Sequence, residues 1–511
     1  MNRRIFLRYA GVGAAGAALG FPRLGKSEEK SFQSLESASA KATADKKSNA
    51  LAGKRPNIIL ILTDDQGYGD LGRNGNTVIK TPNLDKFYDE AAHFEDFHVS
   101  PTCSPTRSSI MTGRHEFKNG ITHTILERER LTLKATTIAQ VLKGAGYTTG
   151  IFGKWHLGDE DEYQPDRRGF DEVFIHGCGG IGQSYSGSCG DVPGNSYFSP
   201  VVKHNGTFVK TSGYCTDEFF GQAQKWIAAQ KDKPFFVYIT PNAPHAPLDC
   251  PPDYEKIYAG KVTDKEAKFL GMVTNIDDNV GRLLARLKEL GRDRDTLVIY
   301  INDNGGTAGC KIFNAGMRGQ KGSPYNGGTR ALSLWRWPGA IQPGARPQLT
   351  AHLDLFPTFA VLAGAKIPDE LAPKLDGFSL LPLLADAAAP WHEERILFTH
   401  VGRWGDRHGG AAPEKYGRCS VRWQQYLLVR ERKGWELHDL KADPGETSDV
   451  AAQHPDVVAK LNKAYDAWWQ EILPCLVNED AYKTAPKVNP FKAQYWKQFK
   501  GPGPNNVPPP A

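Results

Sequence analysis

Four short apolar runs, each stopping abruptly in polar groups, constrain this 511-residue chain more than any other feature. Asn57 to Thr63 (NIILILT) runs into Asp64-Asp65, and Thr296 to Ile301 (TLVIYI) into Asn302-Asp303-Asn304-Gly305-Gly306. Phe235 to Thr240 (FFVYIT) runs into Pro241-Asn242-Ala243-Pro244-His245, and Thr148 to Phe152 into Gly153-Lys154-Trp155-His156. Runs of β-branched residues and leucine without alternation read as strands buried on both faces, the pattern of a parallel sheet. Helical patterns lie between them. Leu270, Val273, Ile276, Val280, Leu283, Leu284, Leu287 and Leu290 recur at three and four, and Gly291 is placed to end that helix. Ile138, Ala139, Val141 and Leu142 form a shorter version before Gly144 and Gly146. The alternation predicts an α/β fold, a large mostly parallel sheet flanked by helices. Such sheets take ligands outside the carboxyl ends of their strands, so four ends carrying carboxylates, lysine and histidine predict one shared site.

Asp64, Asp65, Asp303 and Asn304 offer oxygen ligands only, and hard oxygen donors select Ca²⁺ or Mg²⁺ over metals that seek thiolate. Each pair also has an ordinary structural reading, since Asp-Asp after a strand caps helices and Asp-Asn-Gly-Gly makes turns.

The reactive group is expected in Cys103-Ser104-Pro105-Thr106-Arg107-Ser108-Ser109-Ile110-Met111-Thr112-Gly113-Arg114. Pro105 suits the first turn of a helix, because its missing N–H is one of the donors that has no intrahelical partner. Cys103 then lies near a helix N-terminus, where free N–H groups and the positive end of the dipole favour an anion, and Arg107 follows within a turn. In isolation the cysteine would be a thiol available for pairing and the arginine a solvated helix charge. The spacing, however, resembles the sulfatase signature C-x-P-x-R followed by T-G-R. The resemblance implies that a maturation enzyme converts Cys103 to formylglycine, whose hydrate carries two hydroxyls on one carbon. One attacks sulfur to form a covalent sulfate hemiester, and the other, once deprotonated, expels sulfate and restores the aldehyde.

Gly146-Tyr147-Thr148-Thr149-Gly150-Ile151-Phe152-Gly153-Lys154-Trp155-His156-Leu157-Gly158 is similar to the second signature of that family, with Gly150 where alanine is usual. By resemblance Lys154 binds sulfate and His156 contacts the second hydroxyl as the base for elimination. His245 and Lys321, the latter in Arg318-Gly319-Gln320-Lys321-Gly322, would flank the leaving-group oxygen and the sulfate. An alkoxide leaves poorly, so protonating it or setting a cation beside it lowers the barrier most. Asp64, Asp65, Asp303 and Asn304 match the family's divalent-metal site, with Ca²⁺ favoured and Mg²⁺ second. The resemblance runs from about Arg55 to Leu473. It implies an alkaline-phosphatase-like α/β domain with a smaller C-terminal antiparallel sheet plus helix.

A formal charge of +6 is compatible with acidic substrates, and no nucleic-acid motif or internal repeat is present. Arg3-Arg4-Ile5-Phe6-Leu7 followed by the weakly apolar Tyr9 to Gly20 resembles a twin-arginine export signal, too short and too poor in large apolar side chains for a stable membrane span. An uncleaved apolar anchor is the competing reading. The expected partition is a signal over 1–25, a disordered spacer over 26–54, a catalytic domain over 55–393, a C-terminal subdomain over 394–477 and a Pro/Lys-rich tail over 478–511 that wraps the surface or is disordered. In the subdomain, Arg418 to Arg430 and Gly434 to Leu440 read as strands and Asp456 to Ile472 as a helix. The expected partners are the maturation enzyme, twin-arginine export machinery and a sulfated substrate, with a periplasmic or extracellular location. Of eight cysteines, Cys178, Cys189, Cys215 and Cys250 lie in one Gly-rich insertion that they are placed to staple.

The expected activity is hydrolysis of a sulfate monoester, of a carbohydrate by preference, to alcohol and inorganic sulfate. Two readings compete with it. One is a phosphonate or phosphate ester hydrolase of the same superfamily, and the other a sulfated-glycan-binding protein in which Cys103 stays unmatured. Specificity is expected from the loop His400-Val401-Gly402-Arg403-Trp404-Gly405-Asp406-Arg407-His408-Gly409-Gly410, whose glycines allow close approach and whose Arg, Trp and His would clamp and stack on a sugar. An exposed basic loop of no consequence is the alternative.

Overall fold

In the computed structural model, which describes residues 48–405, 410–431 and 434–499, the four apolar runs are neighbours. Ten strands make one sheet: β1 (Asn57–Thr63), β2 (Ala92–His98), β3 (Thr148–Lys154), β4 (Glu172–His176), β5 (Val201–His204), β6 (Thr207–Lys210), β7 (Phe235–Thr240), β8 (Thr296–Asn302), β9 (Ser333–Arg336) and β10 (Gly344–Ala351). Their order is β10-β2-β9-β8-β1-β7-β3-β4-β5-β6, so the four predicted strands form its parallel centre as β8-β1-β7-β3. Only β9 and β5 run against the rest. Register sets the strand ends level: Thr63 lies opposite Asn302, and Gly153 opposite Thr240. Asp64, Asp303, Lys154 and the Pro241–His245 turn therefore leave the sheet along one rim.

Alternate residues of β1 serve two cores, as the period of a strand requires. Ile58, Leu60 and Leu62 join the layer that holds helices Ile138–Gly144 and Leu355–Ala363. Ile59 and Ile61 join the one that holds helices Cys215–Ala229 and Asp264–Glu289. Helix Asp264–Glu289 begins with a capping box between Thr263 and Glu266 and gives way to Gly291 at φ 67°. Of the predicted stripe, Leu270, Val273, Ile276, Val280, Leu283 and Leu287 are buried, while Leu284 and Leu290 are half-buried at its edge. Each such side chain contributes about 1.5–3 kcal/mol through burial.

A second sheet is antiparallel, with β11 (Ile396–His400), β12 (Cys419–Trp423), β13 (Tyr426–Arg430) and β14 (Glu436–Asp439) in that order. Helix Pro455–Ile472 lays Val457, Leu461, Tyr465 and Trp468 onto it. The short final strands and this helix lie where the sequence pattern puts them, whereas β11 carries no signal separate from its surroundings.

Two local expectations need correction, and for residues 490–499 of the tail the surface-wrapping alternative is the one observed. Residues 48–54 do not belong with a free spacer, because Leu51 is buried and the Gly53 N–H donates to the Val361 carbonyl at 3.0 Å. Beyond residue 478 the chain forms helix Pro490–Phe499, whose Phe491 packs edge-on against Phe208 and whose Gln498 hydrogen-bonds the Phe208 backbone. All eight cysteines are free thiols, so no disulfide staples the Gly-rich insertion; instead Cys189 and Cys178 are hydrogen-bonded thiols. The signal sequence, the rest of the spacer and residues 500–511 lie outside the described residues. Among the described residues no helix is long and apolar enough to cross a membrane.

Candidate active site

Thr102 is extended at φ −149°, and helix Cys103–Thr112 starts at the next residue and ends at Gly113 at φ 65°. Every residue of this polar helix is buried, Cys103 at 3% exposure and Arg107 at 0%. Its hydroxyls are satisfied locally: Ser104 donates to the His156 carbonyl at 2.9 Å, Ser108 to the Pro105 carbonyl at 2.8 Å, and Ser109 to Glu116 at 3.1 Å. Arg107 is a clamp rather than a solvated charge. It donates to the Lys154 carbonyl at 3.0 Å and to Asp303 Oδ2 at 2.9 Å, tying the end of β3 to the end of β8.

Around Cys103 the expected residues converge. Lys154 Nζ donates to Asp64 Oδ2 at 2.6 Å with both side chains at 0% exposure. Lys321 Nζ pairs with Asp65 and lies 3.4 Å from the Cys103 sulfur. His245 brings Nε2 to 3.8 Å from Asp65 Oδ2, and Asn304 donates to Asp65 Oδ1 at 3.0 Å. His156, held at φ 59°, hydrogen-bonds the Thr124 carbonyl through Nε2 at 2.8 Å, which leaves Nδ1 as a buried lone pair without a partner. Lys154 reaches this rim because Gly153 lets β3 lie close to β7. A Cβ there would meet the Thr240 carbonyl oxygen at 2.1 Å, and the residue sits at φ 119°.

The electrostatics follow from burial and pairing. Burial works against the Asp64 carboxylate, but Lys154, then His245, Lys321 and Arg107, outweigh it and hold its pKa well below the usual value. Asp303 is pushed the other way, to about 7, by burial and by Asp64, with Arg107 and Lys154 opposing. Burial raises the Cys103 thiol to about 11 although Lys154 and Lys321 pull it down, so as a plain thiol it is protonated and inert. Burial, aided by Lys154, keeps His156 neutral.

A hard divalent cation fits these residues. Asp64 Oδ1 and Asn304 Oδ1 are buried without hydrogen-bond partners, and ligand-capable atoms of Asp64, Asp65, Cys103 and His245 all lie within 4.8 Å of one another. A cation among these oxygens would satisfy the orphaned atoms and relieve the repulsion between Asp64 and Asp303.

Above Cys103 lies a cavity of about 110 Å³ lined by Cys103, His156, His245 and Lys321, and also by Thr124, Ile125, Gly179, Gln183, Tyr185 and Arg403. No motif spacing points to Thr124, Ile125, Gln183 or Tyr185; the only hint is the glycine run before Gln183. Among the described residues of the expected specificity loop, only Arg403 lines the cavity. Trp404 does not stack on a ligand there: it is 5% exposed, donates to Glu479 at 2.6 Å and packs edge-on against Phe117. His400 is also buried and hydrogen-bonds the Glu414 carbonyl at 2.9 Å. His408 lies outside the described residues.

The pattern of the family described as "Sulfatase" matches residues 56–365, more than half of the chain, and covers every residue of this constellation except the loop arginine. The chain belongs to the sulfatase family. A second family pattern, "N-sulphoglucosamine sulphohydrolase, C-terminal", matches residues 321–469. Human arylsulfatase A is 31% identical over 442 residues, 80% of this sulfatase and 82% of that protein. Human N-acetylgalactosamine-6-sulfatase is 32% identical over 363 residues, 65% and 66% of the two chains. Among solved structures, Ps i-CgsB in complex with k-i-k-neocarrahexaose superposes with a TM-score of 0.72 at 27% identity, covering 88% of this chain and 98% of that one. The sulfatase is thus a sulfuric ester hydrolase of the alkaline-phosphatase-like fold.

Proposed function

We propose that this sulfatase hydrolyses a sulfate monoester of a carbohydrate, using Cys103 matured to formylglycine and a calcium ion held by Asp64, Asp65, Asp303 and Asn304. The observation that carries the reading is the setting of Cys103, buried in the first turn of its helix within reach of Lys321 and of an oxygen-rich cation site, yet raised to about 11 and so useless as a thiolate. The matured side chain would supply the nucleophilic oxygen, and the cation would hold it and polarise the sulfate. Calcium suits a site built from carboxylate and amide oxygens.

The chain's own groups take the remaining roles. Lys154 and Lys321 neutralise sulfate oxygens, and their charge is held by Asp64 and Asp65. Lys321, kept protonated by Asp65 against the effect of burial, donates a proton toward the leaving oxygen, with His245 beside it. His156 offers Nδ1 as the proton acceptor that restores the resting state. Arg107 holds β3 and β8 in register beneath these groups. The likeness to N-acetylgalactosamine-6-sulfatase and to a structure carrying a neocarrahexaose supports a sugar substrate. The twin-arginine pattern at Arg3-Arg4 supports export after folding.

Release of inorganic sulfate from an aryl sulfate and a panel of sulfated saccharides, with aryl phosphate alongside, tests the reading. The expected order of kcat/KM is sulfated saccharide, then aryl sulfate, then aryl phosphate, and an aldehyde-reactive probe should label residue 103. Full activity without labelling, or a preference for aryl phosphate, would overturn it.

A further inference from the structure

Every buried cation of the site has its own carboxylate: Lys154 pairs with Asp64, Arg107 with Asp303 and Lys321 with Asp65. Arg403 lines the same cavity and has none among the described residues. Its guanidinium makes no hydrogen bond or ion pair among the described residues, and no carboxylate lines the cavity with it. Its ionisable neighbours there are Cys103, His156, His245, Lys321 and Tyr185, and none of these supplies a carboxylate counter-charge.

The backbone holds Arg403 in place despite strain. It sits at φ 61°, a left-handed conformation that disfavours any residue with a Cβ. Both flanks are fixed. The Arg403 N–H donates to the Thr122 carbonyl at 2.8 Å, the Gly402 N–H to His400 Nδ1 at 2.9 Å, and the Trp404 indole to Glu479 at 2.6 Å. A surface charge of no consequence needs no such anchoring. An unpaired guanidinium presented to a substrate cavity is a fork suited to two oxygens of one anion.

Resting on the sulfatase reading above, we propose that Arg403 binds a second anionic group of the same sugar, a carboxylate or a further sulfate, apart from the ester that is cleaved. The substrate class is then a polyanionic sulfated saccharide rather than a neutral sugar bearing one sulfate. The preference arises because the scissile sulfate already has Lys154, Lys321 and the cation, whereas Arg403 has no carboxylate partner among the described residues and faces the remainder of the substrate.

The test compares wild type, Arg403→Ala and Arg403→Lys on four substrates: an aryl sulfate, a neutral monosulfated saccharide, the same saccharide extended by a uronate, and a disulfated saccharide. Arg403→Ala should lose at least tenfold more kcat/KM on one of the two polyanionic substrates than on aryl sulfate, and the arm that falls names the anion. Arg403→Lys should recover part of the loss, and wild type but not Arg403→Ala should show extra salt sensitivity on that substrate. Equal losses on all four substrates, or none on any, would overturn the proposal. Failure of the underlying sulfatase reading shows itself separately, as absence of aryl sulfate hydrolysis in wild type.

Discussion

Side chains that reach the cavity from strand ends and the nucleophile helix are buried or half-buried and paired, whereas Gln183, Tyr185 and Arg403 reach it from loops, with Tyr185 40% exposed and Arg403 exposed and unpaired among the described residues. The floor is fixed before any ligand arrives. Its ion pairs and orphaned oxygens suit one reaction centre, a sulfate and a cation, whatever the rest of the substrate is. The wall has groups to spare and little regular structure, so a substitution there costs the fold little. On the proposed function, chemistry and substrate choice then fall to separate parts of one chain, the first to the parallel sheet and the second to insertions and the C-terminal subdomain.

The sharpest break between floor and wall is Asp303→Ala, which removes a proposed cation ligand and the partner of Arg107 together. It should lower kcat/KM roughly 10²–10³-fold on aryl and saccharide sulfates alike. Chelation should mimic the loss in wild type, with recovery on adding Ca²⁺. A loss confined to saccharides would move Asp303 into the wall.

Trp404→Ala comes next, because the residue beside Arg403 belongs to a core of Trp468, Trp469, Leu461 and Val421. Denaturant unfolding should show about 3–5 kcal/mol of lost stability, and activity should follow the folded fraction on every substrate. Unchanged stability with a selective loss on saccharides would return Trp404 to substrate contact.

Gly153→Ala probes the floor without touching a charged group. The added Cβ meets the Thr240 carbonyl at the β3–β7 contact, so about 1–3 kcal/mol of stability should go, together with the placement of Lys154. A melting curve and a sulfate-release assay read the two effects.

At neutral pH the smallest effect is that of His400, whose contribution to the wall's support shows itself only on acidification. Burial lowers the His400 pKa from 6.5 to about 4. Between those values the unfolded chain binds more protons, so stability present above pH 6.5 is lost as pH falls toward 4, by at most about 1.4 kcal/mol per unit. His400→Gln should flatten that acid limb in unfolding measured from pH 7 to 4; an unchanged limb would assign it to other groups.

The centre of the sheet was legible because a strand buried on both faces must be apolar throughout, as NIILILT and FFVYIT are. Its margins were not: β2 reads AHFEDFH and β10 GARPQLTA, and neither alternates nor concentrates apolar residues. The floor of the site could be read from motif spacing, since Lys154 and Asp303 each follow a recognisable run. The wall could not. Trp404 in an Arg-Trp-Gly loop has the local look of a sugar-stacking residue, and only the distant Glu479, Phe117 and Trp469 determine that it is buried. Gln183 and Tyr185 come together with Cys103 through tertiary folding alone.

The burial of Cys103 also has a consequence in time. The residue is 3% exposed because elements from far along the chain close over it, and Lys321, which touches its sulfur, lies 218 residues later. At about 5–20 residues per second of synthesis, roughly 10–40 s separate the two during translation. Through that interval the Cys103 segment is exposed beside an unfinished sheet, and once β8 and the Lys321 turn have docked it is sealed. On the proposed function, a maturation enzyme acting on Cys103 would work against a clock set by chain order, and slowing the ribosome between residues 103 and 321 should raise the matured fraction.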